Sequence, residues 1–220
     1  MIKISKRLEV ISSLIPINSN VLDIGCDHGL LDIYLYQKKI SSNIIAADVN
    51  SNALSNAKEN IKKYKLDKII TTRLGDGLDV LNDSDNTNTL VIAGMGAHTV
   101  MRILLNGLDK LKKINTIIIQ SNTKLEFLRH EMSRLNYKIV DEELVCEASK
   151  YYTIIKYEKG HARYNKKELY FGPILMKKNS SLFKENNRIE LEKLNMLLKL
   201  LPKNKIIERH KIKKKIRLYK

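Results

Sequence analysis

Val21-Leu22-Asp23-Ile24-Gly25-Cys26-Asp27-His28-Gly29 is the stretch on which the fold of this 220-residue chain turns. A short apolar run halted by glycine is the signature of a buried parallel strand feeding a tight turn. Glycines at 25 and 29 let the backbone turn sharply and approach a ligand closely. A dinucleotide fingerprint wants glycine at the first, third and sixth positions of that turn. Here the third position is Asp27, whose carboxylate repels a pyrophosphate. S-adenosylmethionine carries no phosphate but brings a sulfonium, an ammonium, a carboxylate and a ribose. An acid-lined glycine turn suits that ligand and disfavours NAD.

Outward from this loop, strands and helices alternate. Ile4, Leu8, Ile11 and Ile15 repeat at helical spacing over residues 3–15. A helix is expected from about Leu30 to Lys38, a second strand over Asn43 to Asp48, and a helix over 51–64 with Leu54, Ala57 and Ile61 on one stripe. Further strands are expected at Lys68–Thr72, Thr89–Ala93 and Asn115–Gln120, with helices over 97–108 and 123–135. Such alternation argues a parallel sheet with right-handed crossovers. The link between Tyr137–Cys146 and Tyr151–Glu158 is too short for a helical crossover, so these two runs form an antiparallel hairpin at a sheet edge. The expected fold is therefore α/β and Rossmann-like, with a seven-stranded, mostly parallel sheet ending in an antiparallel hairpin.

Three further loops gather polar chemistry at strand ends, where open α/β sheets bind ligands. Asp48, followed by Val49 and Asn50, ends the second strand and is placed to accept both hydroxyls of an adenosyl ribose; the competing role is an N-cap for the next helix. Gly75-Asp76-Gly77, with Leu78 after it, leaves room for a flat base, and Asp76 can accept from an adenine amino group; an ordinary Asp-Gly turn is the alternative. Ala93-Gly94-Met95-Gly96 forms an open floor facing the substrate. Gln120-Ser121-Asn122 offers side chains for a base edge, or caps for the following helix.

Charge divides the chain unevenly. Residues 161–220 hold 18 Lys and Arg against 5 Asp and Glu, whereas the preceding 160 hold 22 against 19. Compositional bias alone would spread the basic residues evenly. A basic C-terminal quarter is the footprint of a polyanion, nucleic acid ahead of an anionic membrane surface. There Leu191, Leu194, Leu198 and Leu201 repeat at helical spacing between Pro173 and Pro202, and a second basic helix follows from about Lys203. The two are expected to pair as a short hairpin, or the leucines to pair two copies of the chain. Domains are accordingly expected at 1–160 and 161–220.

Several chemistries are excluded. Cys26 and Cys146 form no CxxC pair, and neither a disulfide framework nor a metal site is expected. There is no GxxxxGK[ST] phosphate loop, and His130-Glu131 lacks the second histidine of a zinc protease. The only prolines, at 16, 173 and 202, leave no Asn/Asp-Pro-Pro-aromatic motif of the adenine-N6 methyltransferases and no Pro-Cys of the pyrimidine-C5 enzymes. No run of about 18 apolar residues supports a membrane span, so a cytoplasmic location is expected.

Taken together, Ser5-Lys6-Arg7-Leu8, Asp23 to Gly29, Ala93-Gly94-Met95-Gly96 and Gln120-Ser121-Asn122 resemble the TrmK family over essentially the whole chain. These are bacterial tRNA adenine-N1 methyltransferases acting at position 22, with a coiled-coil-like helical extension. Two positions depart from the pattern: Ala97 stands where a glycine often follows Gly-Met-Gly, and Ser121 where a proline often follows the glutamine. The resemblance implies S-adenosylmethionine as cofactor, tRNA as partner, no metal, and a monomer or weak dimer. It implies cofactor contacts at Arg7, Asp23, Gly25, Cys26, Asp27, His28, Gly29, Asp48, Val49, Asn50, Gly75, Asp76, Gly77, Leu78, Ala93, Gly94 and Met95, and substrate contacts at Gly96, Gln120, Ser121 and Asn122. Asp27 and His28 are the expected catalytic pair, Asp27 either stabilising charge on the methylated base or only binding the cofactor's ammonium. The alternatives are a methyltransferase of rRNA or of a small molecule, and an RNA-binding module without activity.

Overall fold

The computed structural model describes residues 2–219. The strands are β1 (Asn20–Ile24), β2 (Asn43–Asp48), β3 (Ile70–Leu74), β4 (Thr89–Met95), β5 (Thr116–Ser121), β6 (Tyr137–Glu147) and β7 (Lys150–Lys159). They form one sheet in the order β3-β2-β1-β4-β5-β7-β6. The first five are parallel, and β7 runs antiparallel to both β5 and β6. The order reverses between β1 and β4, which opens a crevice beyond their carboxyl ends.

Helices cover both faces: α1 (Lys6–Leu14), α2 (Leu30–Gln37), α3 (Ser51–Lys63), α4 (Ala97–Asn106), the single turn α5 (Leu108–Leu111) and α6 (Leu125–Arg134). Successive strand residues point to opposite faces. Leu22, Ile24, Leu90 and Ile92 therefore pack with Val100, Leu104 and Leu128 of α4 and α6, while Val21, Ile44 and Val91 pack with Ile11, Ile33 and Ala57 of α1, α2 and α3. Each fully buried Leu or Ile contributes roughly 1.5–3 kcal/mol. Asp23 alternates with Leu22 and so falls on the α1–α3 face.

One expectation about the C-terminal region changes. Pro173 does not bound the long helix; it occupies the first turn of a separate helix, where its missing N–H costs nothing. The chain after β7 forms α7 (Lys166–Phe171), α8 (Pro173–Lys178), α9 (Ser181–Leu200) and α10 (Ile206–Arg217). Asn179, left-handed at φ 45°, ends α8, and the Ser180 hydroxyl caps α9 by accepting from Phe183 N–H. The predicted third strand is also displaced, running two residues later than its hydropathy suggested.

The helical extension is fastened to the sheet by a buried ion pair. Arg129 on α6 and Glu142 on β6 are almost fully buried, with Nε 2.8 Å from Oε1. Arg129 Nη1 also donates to the carbonyls of Leu169 and Tyr170, while Glu142 Oε2 accepts from the N–H groups of Ile174 and Leu175 at the start of α8. Gly172, at φ +93°, passes so close that a Cβ there would lie 2.5 Å from the Glu142 carboxylate.

Candidate active site

Arg7, Leu8, Asp23, Cys26, Asp27 and Met95 line a cleft of about 350 Å³ at the crevice, and Gly25, His28, Leu30, Leu31, Ala93 and Gly94 complete it. The β1 loop turns as its glycine demands: Gly25 lies at φ +78°, and a Cβ on it would sit 2.5 Å from the Met95 methyl. Asp27 is also left-handed, at φ 51°, a conformation that Asp tolerates better than most residues. Its carboxylate is largely exposed and lies 3.6 Å from His28 Nε2.

Asp48 ties two loops together. Its Oδ2 accepts from Asp27 N–H at 3.3 Å and its Oδ1 from Asn50 N–H at 2.8 Å. The N-cap of α3 is Asn50, whose Oδ1 accepts from Asn52 and Ala53, so the capping role weighed for Asp48 belongs to its neighbour. Val49 beside it is 68% exposed.

Burial governs the acids beneath. Asp23 is buried, and desolvation with the nearby Asp48 charge pushes its pKa up to about 7. Asp32 on α2 is fully buried with, among the described residues, no hydrogen-bond partner on either side-chain oxygen, and desolvation with the Asp23 charge raises its pKa well above its ordinary value. Burial pushes the Cys26 thiol up as well, so it stays protonated.

On the substrate side, Gln120 is fully buried and acts as a hub. Its Oε1 accepts from Arg7 Nη1 at 2.6 Å and from Gly94 N–H at 3.1 Å, and its Nε2 donates to Asn122 Oδ1 at 2.9 Å. Asn122 Nδ2 in turn donates to Gly94 O at 2.8 Å. Arg7 also lies over the Tyr152 ring. Of the three side chains expected to face a base edge, Gln120 and Ser121 are buried, Ser121 Oγ donating to Thr123 O, and Asn122 is the exposed member. Neither Ser121 nor Asn122 caps α6, whose N-cap is the left-handed Lys124.

The β3 loop differs from expectation too. Leu78 is a core residue rather than a cleft residue, packed where a Cβ on Gly107 would touch it. Asp76 is paired with Arg102 of α4, Nη1 to Oδ2 at 2.7 Å, and that guanidinium lowers its pKa. Arg102 belongs to no motif that marks it in the sequence. The pair holds Asp76 in place and leaves lone pairs free, since a carboxylate offers about four acceptor sites. The remaining residues sit as loop backbone: Gly29 precedes α2, Gly75 and Gly77 flank Asp76, and Gly96 precedes α4.

The donor set fits S-adenosylmethionine. Asp23 and Asp27 suit a cationic amino-acid end and reject phosphate, Asp48 suits a ribose, and Val49 suits an adenine face. Among the described residues no cluster of three or more His, Cys, Asp or Glu could hold a metal ion, and no helix is long and apolar enough to cross a membrane.

Comparison with known proteins points the same way. Residues 21–220 match the family model described as TrmK, tRNA (adenine(22)-N(1))-methyltransferase. The tRNA (adenine(22)-N(1))-methyltransferase of Bacillus subtilis is 31% identical over 197 residues, 87% of this chain and 82% of that one. A Streptococcus agalactiae protein of the NADB-Rossmann superfamily superposes with a TM-score of 0.95 at 34% identity, covering 99% of this chain and 96% of that one. The Mycoplasma capricolum TrmK, solved with the cofactor product S-adenosyl-homocysteine, superposes at 0.87 with 31% identity over 98% and 95% of the two chains.

Proposed function

This chain belongs to the TrmK family, and we propose that it methylates N1 of adenine 22 in tRNA, using S-adenosylmethionine. The observation that carries the reading is that Asp23 and Asp27 line one cleft with Gly94, that Asp48 holds the Asp27 N–H behind it, and that Asn122 is bonded to Gly94 beside it. When bound, S-adenosylmethionine supplies an electrophilic methyl group for the N1 lone pair, which needs no prior deprotonation.

The protein's part is therefore positioning and charge. Asp48 and Asn50 hold the ribose end, Asp23 and Arg7 receive the ammonium and carboxylate, and Val49 covers the adenine. Asp27, exposed at the mouth, accepts from the exocyclic amine of the target base. Its negative charge stabilises the cation that develops on the methylated ring. His28 orients Asp27. Asn122 and the Gly94–Gly96 backbone bound the space for a base splayed out of its stack, and Gln120 fixes both from behind. Residues 161–220 form the basic extension that binds tRNA, and the enzyme works in the cytoplasm.

Asp27→Ala tests the site. The expected result is loss of methyl transfer to tRNA, and unchanged turnover would remove Asp27 from both of its roles. Calorimetry with S-adenosylmethionine on the same variant separates them, since retained cofactor affinity assigns Asp27 to the chemistry.

A further inference from the structure

Helix α9 carries one half-buried leucine stripe, and its C-terminal end adds exposed apolar side chains that nothing among the described residues covers. Leu191, Leu194, Leu198 and Leu201 are half-buried, on the side where α10 brings the buried Ile212. On another side, Asn186, Glu190 and Lys193 line a groove of about 1080 Å³ whose other end is Ser121 and Asn122 at the active site. At the same three- and four-residue spacing that side of α9 continues to Leu197 and Leu200, with Met196 beside them. Across the turn come Ile206 and Ile207, held at the tip because Arg209 Nη1 donates to the carbonyls of Leu198 and Leu201. These five large aliphatic side chains are 48–72% exposed.

Single exposed leucines are ordinary, but five gathered on one hairpin end mark a binding surface. Its setting selects the occupant. Lys199, Lys203, Lys205 and Arg209 flank the tip, and the whole extension carries a large positive excess, so a second copy would meet like charge. A polyanion with exposed flat apolar faces meets both features, and RNA loops present unpaired bases beside phosphates.

We propose that the tip of the α9–α10 hairpin packs Leu197, Leu200, Ile206 and Ile207 against unpaired nucleobases of the tRNA, while the flanking lysines meet its phosphates. The contact is continuous with the groove that leads to Asn122. Leu200 lies seven residues beyond Lys193 on the groove, about 10 Å of helix, so the contact extends the groove past its α9 wall. Aliphatic side chains placed against base faces act this way at kinked DNA steps. The inference rests on the tRNA reading above and adds to it a second recognition point that senses folded loops.

The triple variant Leu200→Ser, Ile206→Ser, Ile207→Ser tests it, since all three side chains are exposed. KM for full-length tRNA is expected to rise tenfold or more, with kcat and the Kd of S-adenosylmethionine unchanged. The salt dependence of tRNA binding should keep its slope, because no phosphate contact has been removed. An unchanged KM overturns the proposal. A wild-type dimer that becomes monomeric in the variant, with KM unaltered, overturns it in favour of a self-interface. Wild-type protein that binds cofactor but transfers no methyl to tRNA overturns the substrate reading instead.

Discussion

Arg7 Nη1 lies 2.6 Å from Gln120 Oε1, and this bond joins the first helix to the end of β5 behind the active site. Gln120 also holds Gly94 N–H and Asn122, so one buried amide sets the N-terminal helix and both substrate loops together. Replacing it by Leu leaves Arg7 and Gly94 N–H without their acceptor. Gln120→Leu should lose about 1–3 kcal/mol of stability in denaturant titration and more than tenfold in kcat. A variant with native kcat would show that the network does not position the loops.

Gly25→Ala should disable the cofactor loop while leaving the fold intact. The left-handed φ of +78° costs an L-residue roughly 1–2 kcal/mol, and the new methyl collides with Met95. Calorimetry should show S-adenosylmethionine affinity reduced tenfold or more, with an unchanged circular dichroism spectrum.

Asp23 predicts the pH dependence of cofactor binding. Burial and Asp48 hold its pKa at about 7, while the arriving ammonium favours the carboxylate form. Below about pH 7 the proton must leave before the ligand is accommodated. Affinity should therefore fall about tenfold per pH unit on that side and level off above it. A Kd that is flat between pH 6 and 8 would contradict the assignment.

Asp32 is a source of instability at neutral pH. Its pKa is raised above the unfolded value, so its contribution is most favourable below the unfolded pKa near 4 and is lost as pH rises towards the folded pKa. Asp32→Asn cannot titrate. Its melting temperature should exceed that of the wild type at pH 8 by more than at pH 5, and the reverse order would contradict the reading.

The Arg129–Glu142 pair predicts the opposite sign. Removing one partner leaves a buried charge alone and frees the start of α8. Glu142→Ala should destabilise by about 3–5 kcal/mol in thermal or urea unfolding.

The parallel sheet and its loops were legible because Val21–Ile24, Asn43–Asp48 and Thr89–Ala93 are apolar runs that stop at polar or glycine residues. The hairpin was legible in kind and, to within a residue at each end, in extent, although its turn uses Ala148 and Ser149 at positive φ, without the Asn-Gly signal that marks such turns. The Arg102–Asp76 and Arg129–Glu142 pairs were hidden because each joins residues brought together only by folding. Gln120 and Ser121 end a strand, which predicts side chains that face the substrate. Which way a strand-end side chain turns depends on partners, Arg7 and Gly94 here, that hydropathy does not reveal.

The most direct test is labelled methyl transfer from S-adenosylmethionine to paired unmodified tRNA transcripts with adenine or guanine at position 22, digested to nucleosides. The account predicts 1-methyladenosine from the adenine transcript and no label from the guanine one. Equal labelling of both, or label in neither despite cofactor binding, would contradict it.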